Sequence, residues 1–138
     1  MNETIGFIGL GVLGSAVAGN LVKGGFRVIA FDTVVDKMKA LEDEGGQSGA
    51  SPRDVADQSD VIILCLPTAD TLYEVVDGAD GLGDGGREGQ IILEISTFAI
   101  ADKEKARDAL AATGKILLDC PVSGNRILAL EKKLTAFG

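Results

Sequence analysis

Three glycines, Gly9, Gly11 and Gly14, stand between an apolar run, "TIGFI", and a segment in which Leu13, Val17 and Leu21 recur every four positions. This G-x-G-x-x-G spacing, strand before and helix after, suits a pyrophosphate. The first glycine closes the strand, the second lets backbone approach the phosphates, and the third lets the helix pack close to the sheet. Free amides at the helix N-terminus then face the anion. The whole turn, Gly9, Leu10, Gly11, Val12, Leu13 and Gly14, is therefore expected to hold a dinucleotide. The next apolar run, "RVIAFD", ends in Asp32, where a carboxylate would accept hydrogen bonds from the adenosine ribose hydroxyls. Alternatively, Asp32 caps the helix that follows. A 2′-phosphate would meet this negative charge, and Thr33 and Val34 supply no arginine to offset it. NAD is expected rather than NADP.

Other chemistries are narrowed by what the chain contains. It has no histidine, which excludes Ser-His-Asp and Cys-His catalysis and any His-containing metal site within it. Cys65 and Cys120 lie in or beside apolar runs, "VIILCLP" and "KILLDCP", and read as reduced, mostly buried thiols rather than a disulfide or metal site. The glycine-rich stretch 78–89, "GADGLGDGGREG", fits neither the phosphate-loop nor the calcium-loop spacing. It is expected to be a flexible surface connection. A net charge of −8 repels phosphate backbones and anionic lipids, so nucleic acid and membranes are not expected partners. The longest apolar run after the first strand, Val61 to Leu66, is too short to span a bilayer. With no basic segment before "IGFIGL" to act as a signal, a cytoplasmic setting is expected.

Those residues need a frame. At 138 residues with 46% hydrophobic content, the chain suits one domain with its own core. Nearly continuous apolar runs at Thr4–Ile8, Arg27–Phe31, Val61–Leu66, Gln90–Ile95 and Lys115–Asp119 predict strands covered on both faces. Between them lie helical patterns: Leu13 to Leu21, Val35 to Leu41, and an Ala-, Lys- and Glu-rich segment from Ala99 to Ala112 that stops at Gly114. A short helix is expected from Pro52, with Ser51 as its N-cap, and another after Pro67. Strand and helix in alternation imply an α/β fold, a doubly wound parallel sheet of the Rossmann type. "LTAFG" at the end of the chain reads as the start of a further strand.

The stretch "GFIGLGVLGSAVAGNLVKGGFRVIAFD" resembles the N-terminus of the β-hydroxyacid dehydrogenase family, which includes 3-hydroxyisobutyrate dehydrogenases. "SDVIILCLP", "EISTF" and "DCPVSGN" resemble, in order, the family's strand-end segment beside the cofactor, its Ser-Thr turn near the nicotinamide ribose, and its substrate-binding segment. The resemblance implies that Leu66 and Pro67 flank the cofactor and that Thr97 contacts it. It further implies that Ser123 and Gly124, with Asn125, hold the carboxylate of a small substrate. Taken alone, "CPVSGN" reads equally well as an ordinary turn. Asn125 stands where the family usually has glycine, and Leu13 where methionine is common.

Leu66, Thr97 and Asp119 all follow strand ends and are expected to line one crevice. Carbonyl reduction by hydride transfer also needs a proton donor. Lys23, Lys37, Lys39, Lys103 and Lys105 fall on predicted helices, Lys115 opens a strand at the wrong end, and Tyr73 lies on the helix after Pro67, so none is expected in the crevice. In the family a lysine from a helical C-terminal domain serves, and this chain is expected to be the cofactor domain without that partner. An imine reductase cofactor domain or a non-catalytic binding module are the alternatives. Apolar surface left by the absent domain makes a homo-oligomer an expectation.

Overall fold

The computed structural model describes residues 3–96 and 98–119. Within them the chain alternates β1 (Thr4–Ile8), α1 (Val12–Lys23), β2 (Arg27–Phe31), α2 (Val35–Asp43), β3 (Gln47–Ser48), α3 (Pro52–Gln58), β4 (Val61–Leu64), α4 (Ala69–Asp77), β5 (Ile91–Glu94), α5 (Ile100–Ala111) and β6 (Ile116–Asp119). The strands form one parallel sheet in the order β3-β2-β1-β4-β5-β6. This is the doubly wound α/β architecture that the alternation of runs predicts.

Period-two alternation sorts the side chains of each strand onto two faces. From β1, Ile5 and Phe7 join Val17, Ala18 and Leu21 of α1 and Leu41 of α2. Ile8 points the other way, into a cluster with Val55 and Ala56 of α3, Leu72, Val75 and Val76 of α4, and Ala106 and Leu110 of α5. Both clusters are closed to solvent, so the sheet is covered twice, which is why its central strands read as unbroken apolar runs. Among the described residues no helix is long and apolar enough to cross a membrane.

The local signals behave as their chemistry dictates. Ser51 caps α3 by accepting the Asp54 amide at 3.1 Å, with Pro52 at the first helical position. Thr68 does the same for α4, accepting from Thr71 N at 3.2 Å. Gly114 ends the turn after α5 at a φ of +81°, a conformation that glycine reaches without a Cβ clash.

Two features differ from expectation. Strand β3 was not foreseen because it is only Gln47–Ser48, both exposed, and carries no apolar signal. The 78–89 connection is anchored rather than free. Leu82, in a 3₁₀ turn at Leu82–Asp84, is fully buried in the α4–α5 cluster. Beyond it Gly86 N donates to Asp57 at 2.7 Å, Arg87 pairs with Asp60 at 2.9 Å, and Gln90 Nε2 donates to the carbonyls of Ala56 and Ser59. One buried leucine among glycines is enough to hold such a segment against the body. It leads into the N-terminal end of β5. Cys120 and "LTAFG" lie outside the described residues.

Candidate functional site

In the strand order, β1 and β4 are neighbours whose connections leave in opposite directions along the sheet. Such a switch point opens a crevice outside the carboxyl ends of the two strands. A cavity of about 360 Å³ lies there, walled by the glycine turn after β1, by Phe31, Asp32, Thr33 and Val34 after β2, and by Cys65, Leu66 and Pro67 after β4.

The three glycines divide the work between fold and vacancy. Gly9 sits at a φ of +100°, and a Cβ on it would lie 2.0 Å from the Cys65 carbonyl oxygen. A Cβ on Gly14 would lie 2.1 Å from the Gly9 carbonyl oxygen and 3.2 Å from the Phe7 ring, so the absence of a side chain lets α1 settle on β1. Gly11 is different. Its φ is −69°, and a Cβ there would meet no atom of the described residues within 4 Å. Packing among the described residues does not require a glycine at position 11, whereas close passage of a ligand would. Gly11 is also the N-cap of α1 and has no side chain to occupy the helix-end amides. Val12 beside it is 96% exposed.

Asp32 organises this turn from the neighbouring strand. Its Oδ2 accepts the Leu10 amide at 2.8 Å and its Oδ1 accepts the Val34 amide at 2.8 Å. The N-cap of α2 is Val34, not Asp32, so the capping alternative gives way to a bridge between two loops. Each carboxylate oxygen has a second lone pair, which leaves one acceptor position on each for a ligand hydroxyl. Leu10 departs from expectation, since its side chain is buried in the α1-side cluster and does not line the cavity. Its contribution is the amide that anchors Asp32. An apolar residue between two glycines turns inward because burial of its side chain is favourable.

Gly9, Gly11, Val12, Leu13, Gly14, Asp32, Leu66 and Pro67 all line the cavity as expected. Thr97, Ser123, Gly124 and Asn125 lie outside the described residues. Asp119 does not join the crevice. It ends β6, two strands away from β4 at about 4.8 Å per strand, and its carboxylate pairs with Lys103 Nζ beside a separate hollow under α5. Lys37, expected on a helix outside the crevice, lines it alongside Asp32, as do Thr71 and Val75 of α4. The period of a helix gives its apolar face but not which polar residues of its first turn overlook a neighbouring cleft. Tyr73 stays away, donating its hydroxyl to Asp102 across the α4–α5 contact under the Lys105 ammonium, 4.8 Å from the ring centroid.

Two groups at or behind the cavity wall have shifted titration. Burial, with the Glu94 charge adding to it, pushes the half-buried Cys65 thiol up to about 11, against a partly offsetting Gly14 amide. A thiol held there is protonated at pH 8 and slow to react. Iodoacetamide should therefore modify Cys65 on the order of a hundredfold more slowly than a free thiol at that pH. Peptide mapping separates it from Cys120.

Glu94, at the end of β5, is fully buried. Desolvation raises its pKa above the ordinary carboxylate range, with Asp119 adding to the rise, while hydrogen bonds from Ser96 and the Lys103 charge oppose it. A carboxyl that stays protonated longer when folded binds more protons than in the unfolded chain. Its contribution to stability is therefore greatest at low pH and falls as pH climbs from the ordinary range through the raised value. The Glu94→Gln variant should lose that decline, gaining melting temperature on the wild type between pH 4 and pH 8.

The family model described as the NAD binding domain of 6-phosphogluconate dehydrogenase matches residues 4–137. The mitochondrial 3-hydroxyisobutyrate dehydrogenase of Homo sapiens is 36% identical over 131 residues, covering 95% of this chain and 39% of that protein. The solved structure of a Mycobacterium tuberculosis 3-hydroxyisobutyrate dehydrogenase with L-serine superposes with a TM-score of 0.80 at 28% identity, over 90% of this chain and 42% of the other. An imine reductase from Pseudomonas sp. shares the fold, with a TM-score of 0.81 at 18% identity over 97% of this chain and 52% of the other. The chain thus spans about two-fifths of the length of the dehydrogenases it matches. With the family model matched over nearly the whole chain and the glycine turn at the switch point, the protein belongs to the family of the NAD binding domain of 6-phosphogluconate dehydrogenase, as an N-terminal domain of the β-hydroxyacid dehydrogenase type.

Proposed function

We propose that the cavity binds NAD in preference to NADP, and that the chain serves as the cofactor domain of an NAD-dependent enzyme interconverting a small 3-hydroxy acid and its semialdehyde. The observation that carries the reading is Gly11, a glycine that no packing contact requires, placed where free helix-end amides meet a cavity. Val12, Leu13 and Gly14 lie at that N-terminus and would hold the pyrophosphate. Asp32 would accept the ribose hydroxyls through its open lone pairs, and Leu66 and Pro67 would form the opposite wall. The bound cofactor supplies hydride donation and acceptance. This chain's own part is to bind and orient it.

Thr97 is proposed to contact the cofactor, and Ser123, Gly124 and Asn125 the substrate carboxylate. The proton that balances hydride transfer is proposed to come from a lysine of a helical domain outside this chain. No described residue of the cavity is a suitable acid. Cys65 is held neutral with its pKa near 11, and Lys37 stands on the Asp32 side, beside Thr33 and Val34.

Titration of the chain with NADH and NADPH, read by cofactor fluorescence, tests this. NADH should bind more tightly by about tenfold or more, because a like charge set against a 2′-phosphate costs more than the 1.4 kcal/mol that tenfold represents. Hydroxy acids and semialdehydes added to that complex should not turn over. Equal affinities would refute the preference, turnover would place a proton donor within this chain, and no binding would refute the cofactor assignment.

A further inference from the structure

Glu94 is a buried ionisable group that the cofactor reading leaves unused. It is fully buried, and among the described residues its Oε2 has no hydrogen-bond partner. A buried carboxyl with one oxygen unmet is a cost to the fold that a leucine of similar size would not incur. Its other oxygen, however, makes a specific connection. Oε1 accepts the backbone amide of Ser96. The Ser96 hydroxyl oxygen in turn accepts the Leu66 amide at 2.6 Å in a buried setting. Leu66 and Pro67 form one wall of the dinucleotide cavity. Cys65, the residue before them, is held to β1 by its own amide donating to the Ile8 carbonyl at 2.9 Å.

β4 ends at Leu64, and past Cys65 the Leu66 amide is no longer held by a strand partner. Ser96 takes that place, and Glu94 fixes Ser96 by holding its amide.

We propose that Glu94 is a positioning residue for the cofactor cavity, setting the Leu66–Pro67 wall from beneath through Ser96. The proposal rests on the reading of that cavity as a dinucleotide site. The Glu94 carboxyl accepts the Ser96 amide and so fixes the backbone turn that carries the Ser96 hydroxyl to the Leu66 amide. Without that acceptor the turn loosens and the wall loses its anchor.

Glu94→Leu is the decisive variant, because it fills the space with apolar atoms and removes only the acceptor. Its melting temperature should stay within a few degrees of the wild type, since relief of the buried carboxyl offsets the Ser96 amide left without an acceptor. Amide exchange at Leu66 should nevertheless quicken about tenfold or more, with Leu64 and Ile92 unchanged, as local opening confined to the wall requires. NADH binding should weaken about fivefold, the equivalent of one hydrogen bond. Glu94→Gln, which keeps an acceptor oxygen, should restore both. Wild-type Leu66 exchange in Glu94→Leu with NADH affinity within twofold would overturn the proposal. Uniformly faster exchange, Leu64 and Ile92 included, would also overturn it, by reducing Glu94 to a general stabiliser.

If Glu94→Leu gives no folded protein, Ser96→Ala carries the same test. Fast exchange confined to Leu66, together with wild-type exchange in Glu94→Gln, supports the link, and its absence overturns it. If the wild-type chain binds no NADH, the cofactor reading fails, while Leu66 exchange still decides whether Glu94 holds that wall.

Discussion

Gly11→Val should leave a folded domain that no longer binds NADH. A valine Cβ at this position meets no atom of the described residues within 4 Å, and the backbone there, φ −69° and ψ −165°, is extended and needs no positive φ. Loss of the glycine N-cap preference costs about 0.5–1 kcal/mol, and restricting the unfolded chain returns a similar amount. The melting temperature should therefore move by no more than a few degrees. The side chain would occupy the space through which the pyrophosphate must pass to reach the helix-end amides. Affinity should fall by more than about a hundredfold, or about 2.7 kcal/mol.

Gly9 and Gly14 provide the contrast. At Gly9 an alanine meets the Cys65 carbonyl at 2.0 Å with φ at +100°, and at Gly14 it meets the Gly9 carbonyl at 2.1 Å. Both opposing atoms are backbone and cannot swing aside. Each substitution should cost more than about 3 kcal/mol of stability and lose binding with the fold. Three glycines of one fingerprint are thus separable by circular dichroism melting and NADH titration. If Gly11→Val kept wild-type NADH affinity, the cavity would not be a pyrophosphate site.

That separation marks the boundary of what sequence alone conveys. The G-x-G-x-x-G pattern and the acid at Asp32 are legible because both depend on local spacing along one β-α-β unit, and the strand runs are legible because both faces of the sheet are buried. The spacing does not show that Gly11 has empty space around it while Gly9 and Gly14 are hemmed in by backbone, since those contacts come from β4 and β1. Leu10 looks like a member of the binding turn and is in fact core, because a one-residue difference in direction cannot be read from composition. Lys37 and Thr71 escape notice for the related reason that each sits in the first turn of a helix whose rotation about its axis is set by tertiary packing. Leu82 hides among glycines, where one apolar residue gives no period. Glu94 reads as one more polar residue at a strand end, and only three-dimensional packing reveals it as sealed beneath the cavity and joined to Leu66 by way of Ser96.

Asp32→Ser combined with Thr33→Arg should reverse the cofactor preference. On the proposed reading, the Asp32 carboxylate would stand where a 2′-phosphate comes, and a like charge there would cost several kcal/mol. The pair of substitutions removes that charge and supplies a guanidinium able to meet phosphate in a bidentate manner. The NADPH-to-NADH affinity ratio should rise about a hundredfold, or about 2.7 kcal/mol. Part of the change has a separate origin, because Asp32 also accepts the amides of Leu10 and Val34. Serine is too short to bridge both loops, so the glycine turn loses an anchor, the melting temperature falls by the equivalent of about 1 kcal/mol, and NADH binding weakens beyond the loss of its ribose contact. Asp32→Asn distinguishes the two roles. One amide oxygen can replace one acceptor, but the NH₂ group then faces a backbone N–H and cannot accept it. That variant should lower the melting temperature and weaken NADH through the lost bridge, while relief of the charge raises the NADPH-to-NADH ratio by less than in the double variant, which also supplies a guanidinium. A double variant that binds both cofactors in the wild-type ratio would mean that Asp32 serves only to hold the two loops together and that selectivity is set elsewhere in the cavity.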